Sequence, residues 1–254
     1  MGLMSDNPAA GNTVDFGFRR VPRDAKRGLV RQVFDSVAPR YDLMNDLMSL
    51  GIHRAWKRLF VTLLDPRPGH VLLDLATGTG DVGFAWLARG GGPVLLTDAN
   101  PTMLAIAQDR ATAGGFIGAA SLLVADAERL PLPDGTVDRV SIAFGLRNCT
   151  DRPAVLAEAR RVLRPGGRFL CLEFSRLRVA VLQPVYDAWS FRALPLLGRC
   201  VARDAASYRY LAESIREFPD QEALAGMLRS AGFARVAVRD LSGGIAAIHS
   251  GWRL

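Results

Sequence analysis

From residue 71 to the C-terminus, short runs of leucine and β-branched residues alternate with stretches in which apolar residues recur every three or four positions. The short runs predict strands at Val71–Leu75, Val94–Thr97, Ser121–Ala125, Val137–Phe144, Arg168–Phe174, Ala234–Arg239 and Ile245–Ser250. Between them, helical spacing predicts helices at Val82–Ala88, Pro101–Ala113, Arg152–Leu163 and Asp220–Ala231. Such alternation implies an α/β architecture: a mostly parallel seven-stranded sheet with helices on both faces. The last two strands lie too close together for a crossover helix, which predicts an antiparallel hairpin at one sheet edge. Pro165-Gly166-Gly167 and Ala231-Gly232-Phe233 read as turns that end one helix and start the next strand.

The first third of the chain follows a different pattern. Residues 1–15 are mostly small and polar and predict a flexible tail. Two amphipathic stretches follow, Lys26 to Tyr41, stopped at Pro39, and Ile52 to Leu64, so 16–65 reads as a helical cap on a single domain spanning 16–254. The βα rhythm breaks at 176–210, an apolar, arginine-punctuated insertion that reads as a lid.

Composition narrows the class. A chain of 254 residues, 49% hydrophobic, can bury the core of one α/β domain. No run approaches the roughly eighteen apolar residues of a membrane span, and the N-terminus lacks the apolar stretch of a signal peptide, so a cytoplasmic location is expected. Three scattered cysteines and three scattered histidines show no metal-ligand spacing, so neither a disulfide framework nor a metal is expected. The formal charge of +7 comes mainly from arginines placed singly or in pairs, without the long basic tracts or interleaved aromatics of a nucleic-acid binder.

Candidate chemistry concentrates after the first predicted strand. Asp74-Leu-Ala-Thr-Gly78-Thr79-Gly80-Asp81 links a strand to a helix, where an open Rossmann-like sheet binds ligands at its strand ends. Gly78, Gly80 and Gly83 also satisfy G-x-G-x-x-G, so the loop alone leaves a dinucleotide open. Asp98 closes the second strand and is placed to accept hydrogen bonds from an adenosine ribose. The third strand ends in Ala125-Asp126-Ala127-Glu128, an arrangement that resembles class I S-adenosylmethionine-dependent methyltransferases, in which the acidic residue there meets the adenine amino group. Asp74 and Asp81 suit a cationic sulfonium and ammonium better than a pyrophosphate.

Two further stretches are more specific. Tyr41-Asp-Leu-Met-Asn-Asp-Leu-Met-Ser49-Leu-Gly-Ile-His53-Arg-Ala-Trp56 and Arg161-Val-Leu-Arg-Pro-Gly-Gly-Arg-Phe-Leu-Cys-Leu-Glu173-Phe-Ser175 resemble the two signatures of the ubiquinone/menaquinone biosynthesis C-methyltransferases, as does Phe144-Gly-Leu-Arg147-Asn148. The resemblance implies cofactor contacts at Thr79, Asp98, Asp126, Ala127 and Ala143, beside the glycines Gly78 and Gly80. Ala143 replaces a frequent serine of the family, and Thr77 a frequent glycine. It also implies a reduced lipid quinol as acceptor, because a ring carbon attacks a methyl group only when a hydroxyl pushes electron density onto it. Arg147 is then expected to stabilise the phenolate, Asn148 to orient its oxygen, and Tyr41 and His53 to contact the ring hydroxyls, with His53 the proton acceptor. A prenyl tail would meet the 176–210 insertion, with peripheral membrane contact, a homodimer or a complex of quinone-biosynthesis proteins as further expectations. Two other readings remain: a methyltransferase of this fold acting on another small molecule, and an NAD-binding oxidoreductase or noncatalytic nucleotide-binding module.

Overall fold

The structure is a computed structural model that describes residues 13–38, 46, 49, 51–179 and 205–254. A seven-stranded sheet runs through β3 (Leu72–Leu75), β4 (Val94–Asp98), β5 (Ala120–Val124), β6 (Val137–Ala143), β7 (Leu163–Phe174), β8 (Ala234–Leu241) and β9 (Ala246–Trp252). Its spatial order is β5-β4-β3-β6-β7-β9-β8. The first five are parallel, while β9 pairs antiparallel with both β7 and β8. The predicted closing hairpin therefore forms, with its second strand inserted between β7 and β8 rather than left at the edge.

The central strands bury both faces, as their near-continuous apolar runs require. On β7, Leu170, Leu172 and Phe174 face one cluster and Phe169 and Cys171 the other. The first cluster is covered by α2 (His53–Leu64), α3 (Asp81–Leu87), α4 (Pro101–Ala113) and α6 (Ala205–Arg216). The second is covered by α5 (Arg152–Val162) and α7 (Gln221–Ser230). Helix α1 (Arg23–Val37) packs by its Leu29, Val30, Val33 and Phe34 against the first cluster.

Three expectations change. Residues 13–15, read as tail, belong to β1 (Thr13–Phe16), which pairs with β2 (Arg19–Pro22) across a turn at Gly17, whose φ of 60° suits glycine. Phe16 anchors this hairpin by stacking on Tyr210 at 4.2 Å. Pro165-Gly166-Gly167 lies inside β7, at a register shift against β6, rather than in a turn before it. Helix α5 ends directly into that strand, and Arg253 donates to its last carbonyls at Arg161 (2.7 Å) and Leu163 (2.5 Å). Residues 205–210 of the expected lid are the first half of α6, with Tyr208 and Tyr210 buried in the core. Residues 180–204 of that segment lie outside the described residues.

Candidate cofactor and acceptor site

Strands β4 and β6 leave β3 in opposite directions, so a crevice opens at the carboxyl ends of β3 and β6, where such sheets bind ligands. Both strand ends carry non-glycine residues at positive φ, Ala76 (47°) and Phe144 (57°). A Cβ on Gly145 would lie 2.6 Å from the Ala76 Cβ, so the Gly145 backbone packs directly against the Ala76 methyl. Gly78 (57°) and Gly80 (87°) let the β3–α3 loop turn back under the crevice, and a Cβ on Gly80 would strike the Phe84 ring at 2.4 Å.

The acidic groups around this loop have different states. Asp74 is buried on β3 and accepts from Ser141 Oγ and Thr77 Oγ1, both at 2.5 Å; burial outweighs those bonds and pushes its pKa up to about 6. Burial would also raise Asp81, but Lys57 Nζ and Arg110, each at 2.7 Å, overcome it and hold Asp81 down at about 2. Arg110 also donates to Thr79 Oγ1 at 2.7 Å, fixing the Thr79 hydroxyl. Asp98, at the end of β4, accepts from the Gly78 and Asn100 backbone N–H groups at 2.8 Å each. Burial raises its pKa against the pull of those bonds. The Ala99 N–H is a third backbone donor, so of the roughly four acceptor positions of the carboxylate one remains for a further donor.

The end of β5 is strapped down by α1. Arg27 pairs with Asp126 and with Glu128 (3.1 Å), while Glu128 Oε1 accepts from the Thr150 and Asp151 N–H groups. Asp126 also accepts from the Glu128 N–H at 2.9 Å, and Ala127 packs against the second apolar cluster. Ala143 lines the small cavity formed with Lys57, Asp74, Thr77, Thr79 and Asp81. Ser141, two positions earlier on the same strand face, is fully buried and gives its hydroxyl to Asp74 rather than to the cavity.

Helix α2 forms the other wall. Trp56 packs on Phe144 (6.4 Å) and edge-on to Phe174 (6.1 Å), and its Nε1–H donates to Ser242 at 3.0 Å. One turn earlier His53 is buried, with Nε2 2.9 Å from Asp46 Oδ1 and its backbone N–H on Ser49 Oγ. Arg54 grips both oxygens of Asp46, at 3.0 and 2.6 Å. Burial lowers the His53 pKa and Asp46 offsets part of that shift; Asp46 can only accept, so Nε2–H donates to it, and Nδ1 has no partner among the described residues. Beyond β6, Arg147 is 4% exposed and its Nη1 donates to Glu173 Oε1 and Phe144 O, both at 2.6 Å, while Nε has no partner among the described residues. Asn148 Oδ1 accepts from the Tyr210 hydroxyl at 3.1 Å. Tyr41 lies outside the described residues.

The ubiE/COQ5 methyltransferase family matches residues 12–253 of this sequence. The chain belongs to that family. It is 68% identical over 245 residues, 96% of its length and 98% of the relative's, to the ubiquinone/menaquinone biosynthesis C-methyltransferase UbiE of Acidiphilium cryptum. It is 54% identical over 251 residues (98% and 96%) to the protein of the same name from Bordetella avium. Among solved structures, a SAM-dependent methyltransferase from Thermotoga maritima superposes with a TM-score of 0.62 at 19% identity, covering 89% of this chain and all of that one. The [4+2]-cyclase SpnF scores 0.61 at 22% identity over 85% and 75%. At these identities the likeness speaks for the fold alone, since a fold hosts many chemistries.

For this family member the donor set fits S-adenosylmethionine: Asp98 has acceptor capacity for a ribose hydroxyl, the loop glycines admit close backbone approach, and the carboxylates of Asp74 and Asp81 suit cationic groups. Thr79 and Ala143 line one small cavity, Asp98 holds the Gly78 N–H of the same loop, and Asp126 and Ala127 follow the end of β5. Sequence reasoning did not assign site roles to Lys57, Arg110, Asp46, Glu173 or Arg27. Lys57 was findable: it lies one turn after His53 on the same helix face, in a stretch already read as cap. Arg110, Glu173 and Arg27 act through partners far away in the sequence, and Asp46 through His53, seven residues on.

Proposed function

We propose that this protein transfers the methyl group of S-adenosylmethionine to a ring carbon of a polyprenyl quinol in ubiquinone/menaquinone biosynthesis. The reading is supported by end-to-end similarity, above half identical, to relatives named ubiquinone/menaquinone biosynthesis C-methyltransferase. S-adenosylmethionine supplies an electrophilic methyl on a sulfonium. Asp98, Asp126 with Ala127, Thr79, Ala143, Gly78 and Gly80 hold the cofactor. The acceptor is activated by losing a phenolic proton, whose ordinary pKa of about 10 makes charge stabilisation on the oxygen valuable. Arg147, through its Nε–H, and Asn148 stabilise that oxygen, and His53 receives the proton at Nδ1. Nδ1 of His53 and Nε of Arg147 are both buried. Tyr41 and the apolar 176–210 segment are assigned to the ring and the prenyl tail.

The test is transfer of labelled methyl to chemically reduced demethyl-benzoquinol and demethylmenaquinol beside their oxidised forms. Transfer to reduced acceptors alone supports the reading and identifies the ring. No transfer to any of them, with cofactor bound, moves the acceptor to another small molecule. Salt-sensitive co-sedimentation with anionic liposomes tests membrane contact; among the described residues no helix is long and apolar enough to cross a bilayer.

A further inference from the structure

The α-amino-acid end of S-adenosylmethionine carries an ammonium and a carboxylate, and the small cavity between α2 and the β3–α3 loop presents groups of both signs. Its acids, Asp74 and Asp81, suit the ammonium. Among the described residues its lining holds a single cation, Lys57, which comes from the cap helix rather than from the nucleotide-binding sheet. Arg110, the other cation on Asp81, does not line the cavity, and its guanidinium is committed to Asp81, to Thr79 Oγ1 and to the face of Phe84 at 5.8 Å. Lys57 Nζ has one recorded partner, Asp81 Oδ2 at 2.7 Å, and two further donors on a flexible four-carbon stem. Its side chain is 15% exposed, so a charge-assisted bond made there is poorly screened by water.

We propose that Lys57 receives the α-carboxylate of the cofactor, so that the helix roofing the acceptor also completes the cofactor site. Arg110 keeps Asp81 ionised when Lys57 engages the carboxylate. The assignment rests on the proposed use of S-adenosylmethionine and adds to it a specificity for an intact amino-acid end.

The test is calorimetric binding of S-adenosylhomocysteine and of its decarboxylated analogue to the full chain and to the Lys57→Met and Lys57→Arg variants, with melting curves to confirm folding. A hydrogen bond to a charged group, about 1.5–3 kcal/mol, corresponds to roughly 10- to 150-fold. Lys57→Met is expected to weaken S-adenosylhomocysteine by that factor and the decarboxylated analogue by less than about twofold, with Lys57→Arg largely restoring the difference. Equal loss for both ligands, or no loss for either, would overturn the assignment and leave the methyltransferase reading standing. Absence of S-adenosylhomocysteine binding by the unaltered protein would overturn both.

Discussion

The Arg147–Glu173 pair offers the sharpest energetic test, because both side chains are almost wholly enclosed, at 3% and 1% exposure. Replacing Glu173 with Leu leaves a buried guanidinium without its counterion, and breaking a buried pair from one side costs about 3–5 kcal/mol. The carboxylate also accepts the backbone N–H groups of Arg147 (3.3 Å) and Phe174 (3.0 Å), and losing each acceptor adds about 1 kcal/mol. Glu173→Leu is therefore expected to cost about 5–7 kcal/mol, close to the whole stability of a typical domain. Arg147→Met is expected to cost about 3–5 kcal/mol, since it strands the carboxylate but leaves those two N–H groups satisfied. The double variant buries no unpaired charge and loses mainly neutral hydrogen bonds, so it should fall short of the sum of the singles by at least about 2 kcal/mol. Urea unfolding followed by circular dichroism reads all four free energies, with Glu173→Gln as a milder variant should the leucine form fail to fold. Additive costs, or a Glu173→Leu penalty below about 1 kcal/mol, would show that the pair is not electrostatically coupled and refute the reasoning.

Other outcomes follow from the same contacts. Asp74 has a folded pKa near 6, above its ordinary value of 3.8, so the native state binds the extra proton between those values and stability falls as pH rises from about 4 to 6. Two units correspond to about 3 kcal/mol, and the unfolding free energies of Asp74→Asn and the unaltered protein should converge at pH 4 and separate by pH 6.5; parallel curves would contradict this. Asp81, held near 2, acts oppositely: its contribution is full above about pH 4 and is lost toward pH 2, a loss that Asp81→Asn should abolish in acid unfolding. Gly80→Ala meets both a left-handed φ of 87° and the Phe84 ring, and is expected to cost about 1–3 kcal/mol and to weaken S-adenosylhomocysteine binding measurably by calorimetry. If His53 accepts the proton, the acid limb of kcat/KM falls below the ordinary imidazole pKa, and Asp46→Asn shifts it lower still; an unmoved limb would remove His53 from that role.

What the chain determined by itself are the features set by local periodicity and turn stereochemistry. All seven sheet strands and most helices lie within a few residues of their apolar runs, because a strand buried on two faces and a helix buried on one must each carry a matching pattern. Helix α4 shows this at single-residue resolution: Asn100 caps it, accepting from Thr102 N–H at 2.8 Å, and Pro101 opens it. Gly78 and Gly80 are likewise legible, since the loop needs the backbone conformations they adopt.

Tertiary structure decided the rest. The β1–β2 hairpin exists because Phe16 finds Tyr210, almost two hundred residues away, and four-residue strands leave little pattern to detect. The state of each site acid was also beyond the sequence. Asp74 and Asp81 are equivalent as letters, yet one is pushed up by burial among hydroxyls while the other is held down by Lys57 and Arg110. Arg147 reads as a free cation in the chain and becomes half of a buried pair only when β6 and β7 lie side by side. Charge in a site depends on which distant groups share the same low-dielectric space, and only the folded arrangement sets those distances.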